Sequence, residues 1–443
     1  MYSLKNMLPL VLGLCCGATA IAVHAQQQVT IITSFPKDLT EVYRRAFETR
    51  NPGVKVEVLN RGTSAAIAFT REAPAGNRPD VFWASAPDAF EVLANEKLLE
   101  KFGGANPAVP AKIGNYPVND PEGFYYGQAL AGYGLMWNTR YLKANKVPEP
   151  REWADLVKPE YFGHLAISAP SRSGTTHLTI ETILQGEGWE QGWRQVLQFS
   201  GNCAAITERS FGVPDGVNNG QFGIGLVIDF FGLSAKASGF PVEFVYPSVT
   251  AIVPANIGLI AGSRNPELGK RFIAFTLSEE GQQLLLDPKI SRLPVLPSVY
   301  AKAPAGYPNP YSGKIQAKVK FDSDLSRSRY YVVNSLYDHT ITFRHKELVA
   351  ATKAIHEASG LLAKKPNAPA AKLLEEARQL AYTPLVTQQQ AADQEFLKLF
   401  TTTKRDALKT KQITALEEQW GQQARKNYAR AEELAKQAAG MVK

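Results

Sequence analysis

Apolar and polar residues alternate along the first part of the chain in a way that predicts strands and helices in turn. Residues 29–33 form a β-branched run typical of a strand, and apolar side chains recur at helical spacing over residues 39–47. Residues 54–59 alternate as a second strand, residues 61–71 predict a second helix, and residues 80–83 predict a third strand. This βαβαβ order favours a parallel sheet with helices on both faces.

The middle of the chain predicts a second sheet and then a return to the first. Strands are predicted at residues 124–137, 164–168, 204–207, 222–229, 242–246, 250–253 and 257–260. The Gly-rich segment Ala131–Gly134 is the predicted crossing, and helices over residues 267–277 and 279–286 close the first lobe. We therefore expect an α/β protein of two lobes, with residues 26–130 and 249–312 in lobe 1 and residues 131–248 in lobe 2. Ligands of such proteins lie at the carboxyl ends of strands, in the cleft.

Beyond residue 313 the composition shifts to Ala, Lys, Glu, Gln and Leu, which predicts a helical C-terminal extension over residues 313–443. The predicted helices are one containing Leu348, Thr352 and Ile355 that stops at Gly360, and others over residues 370–381, 388–400 and 415–439. This segment holds 22 Lys and Arg against 14 Asp and Glu, which accounts for the net charge of +8. Because the basic residues are spread along helices, they indicate a solvated surface and no nucleic-acid partner.

The first residues predict export. Lys5 precedes an apolar run over residues 8–23, which ends at Ala25 before three glutamines, the pattern of a signal peptide cleaved after Ala25. A lipoprotein anchor at Cys15 or Cys16 is disfavoured by the residues before them, so we expect a periplasmic protein. Cleavage leaves Cys203 as the remaining cysteine, and no CxxC or HExxH motif is present, so the sequence predicts no metal and no other cofactor.

A hydroxyl-rich loop over residues 171–177 is the sharpest local feature. It lies between a predicted strand and a predicted helix, where Ser173, Gly174, Thr175 and Thr176 would present hydroxyls and backbone N–H groups to an oxyanion. The lysine of a P-loop is absent. Ordinary helix capping explains the same residues, and spacing alone does not decide between the two.

Similar turns recur at the carboxyl ends of other predicted strands. They contribute the candidate ligand-binding residues Ser34, Arg61, Gly62, Thr63, Ser64 and Ser85. Each of these turns alone is explained by helix capping. Because doubly wound sheets bring such strand ends to one crevice, the recurrence favours an anion pocket, with Arg61, Lys37 or Arg172 as the counter-charge.

Two further side chains are candidates for ligand contact. His177 beside Ser173 and Ser171 suggests a hydrolase, but no GxSxG elbow or second histidine in a matching context supports one, so we interpret His177 as a first-turn helix residue or a ligand donor. Asp229 ends an apolar strand, and it would either cap the following helix or accept hydrogen bonds from a ligand hydroxyl or ammonium group.

The segments at residues 33–35, 79–83, 132–139 and 171–177 together resemble the cluster-two periplasmic binding proteins, relatives of the ferric-ion-binding proteins of ABC importers. The resemblance covers about residues 27–310 and is nearest to the phosphoglycerate-transport-regulatory and hexose-phosphate-binding branch. It implies a type II two-lobed fold and a non-enzymatic role. It also implies a small anionic, phosphorylated solute and an ABC permease and ATPase as partners.

One departure from the family concerns iron. The iron-binding relatives have two adjacent tyrosines where this chain has Phe230 and Phe231 after Asp229, so iron(III) binding is not carried over. We instead expect a ligand with a phosphate at the Ser/Thr turns and a hydroxyl-rich or amine-bearing part near Asp229. The alternative functions are a ligand sensor that signals to a membrane histidine kinase and a periplasmic phosphate-ester hydrolase.

Overall fold

The computed structural model describes residues 27–114, 116–315, 317–400 and 407–442. The predicted cleavage after Ala25 lies outside the described residues. The strands are β1 (Gln27–Thr33), β2 (Val54–Asn60), β3 (Val81–Ala84), β4 (Leu99–Glu100), β5 (Lys112–Ile113), β6 (Tyr116–Pro117), β7 (Tyr125–Asn138), β8 (Leu165–Ser168), β9 (Cys203–Thr207), β10 (Ile224–Ile228), β11 (Val242–Val245), β12 (Ile252–Ile260) and β13 (Leu293–Pro294).

Helices follow most of these strands and predominate in the described part of the C-terminal extension. They are α1 (Lys37–Arg50), α2 (Thr63–Glu72), α3 (Pro87–Asn95), α4 (Thr139–Asn145), α5 (Gly174–Glu187), α6 (Trp189–Gly201), α7 (Gly212–Asn218), α8 (Asp229–Ala237), α9 (Pro266–Leu277), α10 (Glu279–Gln283), α11 (Ser323–Thr340), α12 (His345–Lys364), α13 (Ala368–Tyr382), α14 (Gln388–Ala392), α15 (Gln394–Phe400) and α16 (Ala407–Gly440). None of the helices in the described ranges is both long enough and apolar enough to span a membrane.

The sheet of each lobe contains a set of parallel strands. In lobe 1, β1 pairs in parallel with β2 and β3, and β12 pairs antiparallel with β3. In lobe 2, β8 pairs in parallel with β9 and β10. The carboxyl ends of these parallel strands therefore open toward the same cleft, as the alternating pattern predicts.

Strand β7 joins the two sheets and is buried along its whole length. It pairs with β12 up to Gly132 and with β10 from Tyr133 onward, so the change of partner falls within the segment Ala131–Gly134. The return strand differs from the prediction of two strands, because β12 runs unbroken through Pro254 to Asn256. The pairing register with β7 shifts between Ala255 and Asn256, which marks a bulge at the polar residue that interrupts the apolar pattern of β12.

The helical extension packs against both lobes. Helix α12 lies along α6 of lobe 2 and along α16, while α11 lies against α3 of lobe 1 and α5 of lobe 2. One continuous apolar core links the two lobes and the extension. Three details differ from the sequence predictions: α12 passes through Gly360, a break at Asp393 separates α14 from α15, and α11 was not predicted.

Candidate functional site

A small pocket lies between the two lobes, and we call it the inner pocket. Lobe 1 contributes Ser34, Phe35, Pro36, Thr63 and Ser85, and lobe 2 contributes Arg172, Ser173, Gly174, Thr175, Arg209, Ser210, Phe230 and Phe231. Most of its polar groups are hydroxyls carried on turns between a strand and the next helix. The structure thus brings Ser34, Thr63, Ser85, Ser173, Gly174 and Thr175 together, as the sequence predicted.

The hydroxyl-bearing turns lie at the N-terminal ends of helices. Thr63 is the first residue of α2, Ser34 lies three residues before α1, and Gly174 begins α5. The N-terminal end of a helix carries partial positive charge and unpaired N–H groups, so several such ends around one space favour an anion there.

The lobes touch each other across the inner pocket. The Gly174 N–H donates to Thr63 Oγ1 at 3.1 Å, and the Ser85 and Thr175 hydroxyls lie 3.4 Å apart. A Cβ on Gly174 would lie 2.5 Å from Ala86 Cβ, so the approach requires glycine at this position. The pocket volume is about 10 Å³, room for about one water molecule, so a ligand enters only when the lobes separate.

Two arginines from lobe 2 supply the positive charge. Arg172 is partly exposed and lies 4.0 Å from Glu208. Arg209 donates to Asn60 Oδ1 of lobe 1 at 3.1 Å, and burial lowers the pKa of its guanidinium. Of the three predicted counter-charges, only Arg172 lines the inner pocket. The guanidinium of Arg61 stacks on the Phe69 ring, 4.6 Å from its centroid, and Lys37 lies further out.

Helix capping explains part of the hydroxyl-rich loop. Ser173 Oγ accepts from the Thr176 N–H at 3.1 Å, so Ser173 is the N-cap of α5. The Thr176 hydroxyl hydrogen-bonds to Ser168 and Ser173 and does not line the inner pocket. Thr175, the neighbouring residue, does line it. Helix capping and local bonding therefore explain Ser173 and Thr176, whereas Thr175 is placed to contact a ligand.

His177 lies outside the inner pocket, which corrects the expectation that it contacts the ligand. Its ring is fully buried, with Nε2 2.8 Å from Asp88 Oδ2 of lobe 1 and Nδ1 2.7 Å from Asn334 Oδ1 of α11. Ser326 of α11 donates to Asp88 at 3.0 Å. We call Asp88, His177, Ser326 and Asn334 the interlobe clasp. Burial alone would lower the pKa of His177, but Asp88 and Asn334 raise it above its ordinary value.

Helix α11 makes further polar contacts with both lobes. Arg329 binds Glu181 of α5 through two nitrogen atoms at 2.8 and 2.9 Å, and both side chains are buried. On the other side, the Tyr330 hydroxyl lies 3.4 Å from Ser64 of α2. Ser64 was a candidate ligand-binding residue, but it faces α11 and does not line the inner pocket.

Asp229 also lies outside the inner pocket, which corrects its expected role. Its side chain is fully buried, and its oxygen atoms accept from the Gly132 N–H at 2.8 Å, the Tyr246 hydroxyl at 2.9 Å and the Phe230 N–H at 2.8 Å. Burial raises its pKa to about 7, even though these bonds lower it. The carboxylate therefore anchors β7 at the point where the strand passes between the lobes.

A larger opening, the outer chamber, continues from the inner pocket. It has a volume of about 830 Å³ and shares Pro36, Phe230 and Phe231 with the inner pocket. Its lining includes Lys37 and Arg292. The outer chamber is wide enough for a small organic molecule to enter.

Sequence reasoning missed Arg209 and Ser210 in the inner pocket. They follow β9, which ends at Thr207, so the rule that ligands lie at the carboxyl ends of strands would have included them. It also missed Arg292, whose place in the cleft depends on how the two lobes come together. Within the described ranges, no group of three or more His, Cys, Asp or Glu side chains is arranged to hold a metal ion.

Comparisons with known proteins agree with this architecture. The sequence profile of a family described as bacterial extracellular solute-binding protein matches residues 77–312. The phosphoglycerate transport regulatory protein PgtC of Salmonella typhimurium is 29% identical over 343 residues, which are 77% of this chain and 83% of that protein.

Two solved structures share the two-lobed type II fold. The periplasmic binding protein AfuA from Actinobacillus pleuropneumoniae, with fructose-6-phosphate bound, has a TM-score of 0.64 at 19% identity, covering 72% of this chain and 99% of AfuA. Iron-bound HitA from Pseudomonas aeruginosa has a TM-score of 0.57 at 17% identity, covering 70% of this chain and 98% of HitA. Both likenesses establish the fold.

Proposed function

Because the chain belongs to the bacterial extracellular solute-binding protein family, we propose that it binds a small phosphorylated organic anion between its lobes and delivers it to an ABC permease and its ATPase. The observation that carries this proposal is the inner pocket, where hydroxyls and helix N-termini from both lobes converge between Arg172 and Arg209. Such a set of donors matches the oxygen atoms of a phosphate group. The solute acts as the bridge that holds the lobes closed.

The relatives support a phosphorylated ligand. The name of PgtC refers to phosphoglycerate transport, and AfuA was solved with fructose-6-phosphate. Both compounds join a phosphate to a short polar carbon chain. A ligand of this class would place its phosphate in the inner pocket and its carbon chain toward the outer chamber.

Sensing is the second candidate function, with a membrane histidine kinase as the partner. The observation that favours it is α11, which contacts both lobes through Asp88, His177 and Glu181. Movement of the lobes relative to each other would change these contacts and so alter the surface of the extension. A pull-down from membranes with ligand-loaded protein separates the two candidates, because one retains a permease and the other a kinase.

A hydrolase function has less support. Hydrolysis by a serine nucleophile needs a base in contact with it. Both ring nitrogen atoms of His177 are engaged by Asp88 and Asn334, and no histidine is among the residues that line the inner pocket. Incubation of pure protein with a phosphate ester should therefore release no inorganic phosphate.

The test of the proposed function uses two neighbouring threonines. Thr175→Val removes a hydroxyl that lines the inner pocket, whereas Thr176→Val removes one that bonds only within lobe 2. A hydrogen bond to a charged oxygen contributes about 1.5–3 kcal/mol, so Thr175→Val should weaken binding of a phosphorylated ligand by about tenfold or more. Thr176→Val should lower thermal stability and leave the affinity nearly unchanged.

Calorimetry with inorganic phosphate, 3-phosphoglycerate and fructose-6-phosphate measures these affinities. Mass spectrometry of solute released from freshly purified protein identifies the natural ligand. Equal affinities of the wild type and the Thr175→Val variant would mean that the hydroxyl-rich loop only caps α5, and the proposal would be wrong.

A further inference from the structure

Arg292 is a buried cation whose two terminal guanidinium nitrogen atoms have no hydrogen-bond partner among the described residues. The side chain is 1% exposed, and neither Nη1 nor Nη2 has a hydrogen-bond acceptor. An unpaired charge in a protein interior is strongly destabilising, so a group in this state is normally matched by an anion. Burial lowers the pKa of Arg292 to about 9, although the negative charge of Asp229 raises it.

The position of Arg292 links the two cavities. Its guanidinium carbon lies 4.1 Å from the ring centroid of Phe35 in lobe 1 and 3.5 Å from that of Phe230 in lobe 2. Both rings also line the inner pocket, while Arg292 itself lines the outer chamber. The guanidinium is therefore held between the lobes, one aromatic ring away from the predicted phosphate position.

Two internal contacts partly compensate the charge. Stacking on two aromatic faces stabilises a guanidinium, but it satisfies none of its N–H groups. Asp229 is near enough to act on Arg292 electrostatically, yet its oxygen atoms accept from Gly132, Tyr246 and Phe230, and no ion pair joins it to Arg292. Nη1 and Nη2 therefore keep donors for another acceptor, which can reach them when the lobes separate.

We propose that Arg292 is a ligand-binding residue that pairs with a carboxylate on the same molecule whose phosphate occupies the inner pocket. A guanidinium binds a carboxylate through two parallel hydrogen bonds, and the rings of Phe35 and Phe230 hold it ready to do so. The ligand class is thus a phosphorylated carboxylic acid with a short carbon chain. This inference rests on the proposed function and replaces the amine or hydroxyl group that the sequence placed near Asp229.

The test compares three probes by calorimetry on the full mature chain: inorganic phosphate, glycerol 3-phosphate and 3-phosphoglycerate. Glycerol 3-phosphate has a hydroxymethyl group at the position where 3-phosphoglycerate has a carboxylate. Wild-type protein should bind 3-phosphoglycerate about tenfold or more tightly than glycerol 3-phosphate. Arg292→Gln should abolish that preference and change the affinities for the other two probes by less than about threefold.

Variants and controls separate the explanations. Arg292→Lys keeps the charge but loses the planar fork, so it should retain only part of the preference, and it replaces the Gln variant if that one does not fold. Arg264→Gln, an exposed position bonded to Asn77 Oδ1, is the matched control and should change nothing.

Three outcomes are informative. Equal weakening of all three probes in Arg292→Gln would make Arg292 a structural contact between the lobes, and the inference would be wrong. Equal affinity of the wild type for 3-phosphoglycerate and glycerol 3-phosphate would also overturn it, without any variant. If the wild type bound none of the three probes, the proposed function itself would fail.

Discussion

At the scale of single residues, two phenylalanines argue against iron(III) as the ligand. Phe230 and Phe231 line the inner pocket, and the family resemblance implies two tyrosines at these positions in the iron-binding members. A phenyl ring offers no oxygen atom to a metal, and iron(III) prefers anionic oxygen ligands. The same rings instead give the pocket an apolar wall beside its hydroxyls.

We therefore predict that the protein does not bind iron. Addition of ferric citrate should produce no phenolate absorption band and no increase in melting temperature, because no phenol oxygen lines the inner pocket. Absorption spectroscopy and thermal unfolding measure both effects, with an iron-binding relative as the positive control. A stoichiometric coloured complex would contradict the prediction.

At the scale of elements, helix α11 is the part of the extension that joins the lobes. Its residues Ser326, Arg329 and Asn334 bond to Asp88, His177 and Glu181, all of them buried. Buried ion pairs stabilise a fold only when both partners are present, and removing one partner destabilises it strongly. The interlobe clasp therefore makes α11 an integral part of the two-lobed structure.

The stability that His177 contributes should depend on pH. Asp88 and Asn334 raise its folded pKa against the effect of burial, so the contribution is fully present below the unfolded pKa of about 6.5 and is lost as the pH rises through the folded pKa. His177→Gln should lower the free energy of unfolding by about 3 kcal/mol at pH 5.5. The difference from the wild type should shrink toward pH 9. Thermal unfolding over this pH range measures it.

His356 is a control of opposite sign. Burial, with Arg378 nearby, lowers its pKa to about 4, so its contribution is present above about pH 6.5 and is lost as the pH falls toward 4. His356→Gln should therefore differ most from the wild type at neutral and alkaline pH. Identical pH dependence of the two variants would show that His177 carries no proton-linked stability.

At the scale of the whole molecule, the structure shows the lobes in contact. Gly174 and Thr63 hydrogen-bond across the cleft, and the inner pocket is too small for an organic anion. Binding therefore requires hinge motion at the point where β7 changes partner and where Asp229 bonds to Gly132. Entry through the outer chamber is consistent with α11 covering the other side, where Tyr330 meets Ser64.

Gly174→Ala tests whether this close contact sets how far the lobes close without ligand. Because the added Cβ would lie 2.5 Å from Ala86 Cβ, the contact could not form, and the ligand-free lobes should stay further apart than in the wild type. Small-angle X-ray scattering without ligand should give a larger radius of gyration than the wild type. Gly360→Ala in α12 is the matched control, since its Cβ would meet nothing within 4 Å. An unchanged radius of gyration in Gly174→Ala would contradict the prediction.

The fold class and much of the inner pocket follow from local patterns in the sequence. Alternating strand and helix periods predict parallel strands, and the carboxyl ends of parallel strands lie at one edge of a sheet. The sequence therefore predicts that the residues at these ends lie close together, namely Ser34, Thr63, Ser85 and Thr175. These are local signals, since each depends on a few neighbouring residues. The long apolar strand that joins the lobes was predicted for the same reason.

The roles of His177, Asp229 and Arg292 depend on contacts that form only when the lobes and the extension pack together. All three are polar groups buried by segments distant in sequence: His177 by α11, Asp229 by the crossing strand, and Arg292 by Phe35 and Phe230 from opposite lobes. The buried face of helix α11 also includes polar residues, Ser326, Arg329 and Asn334, because these bond to the two lobes. From sequence alone a polar residue is expected to be exposed, because its hydrogen-bond partners are unknown. Here those partners are supplied by the packing of the lobes and the extension.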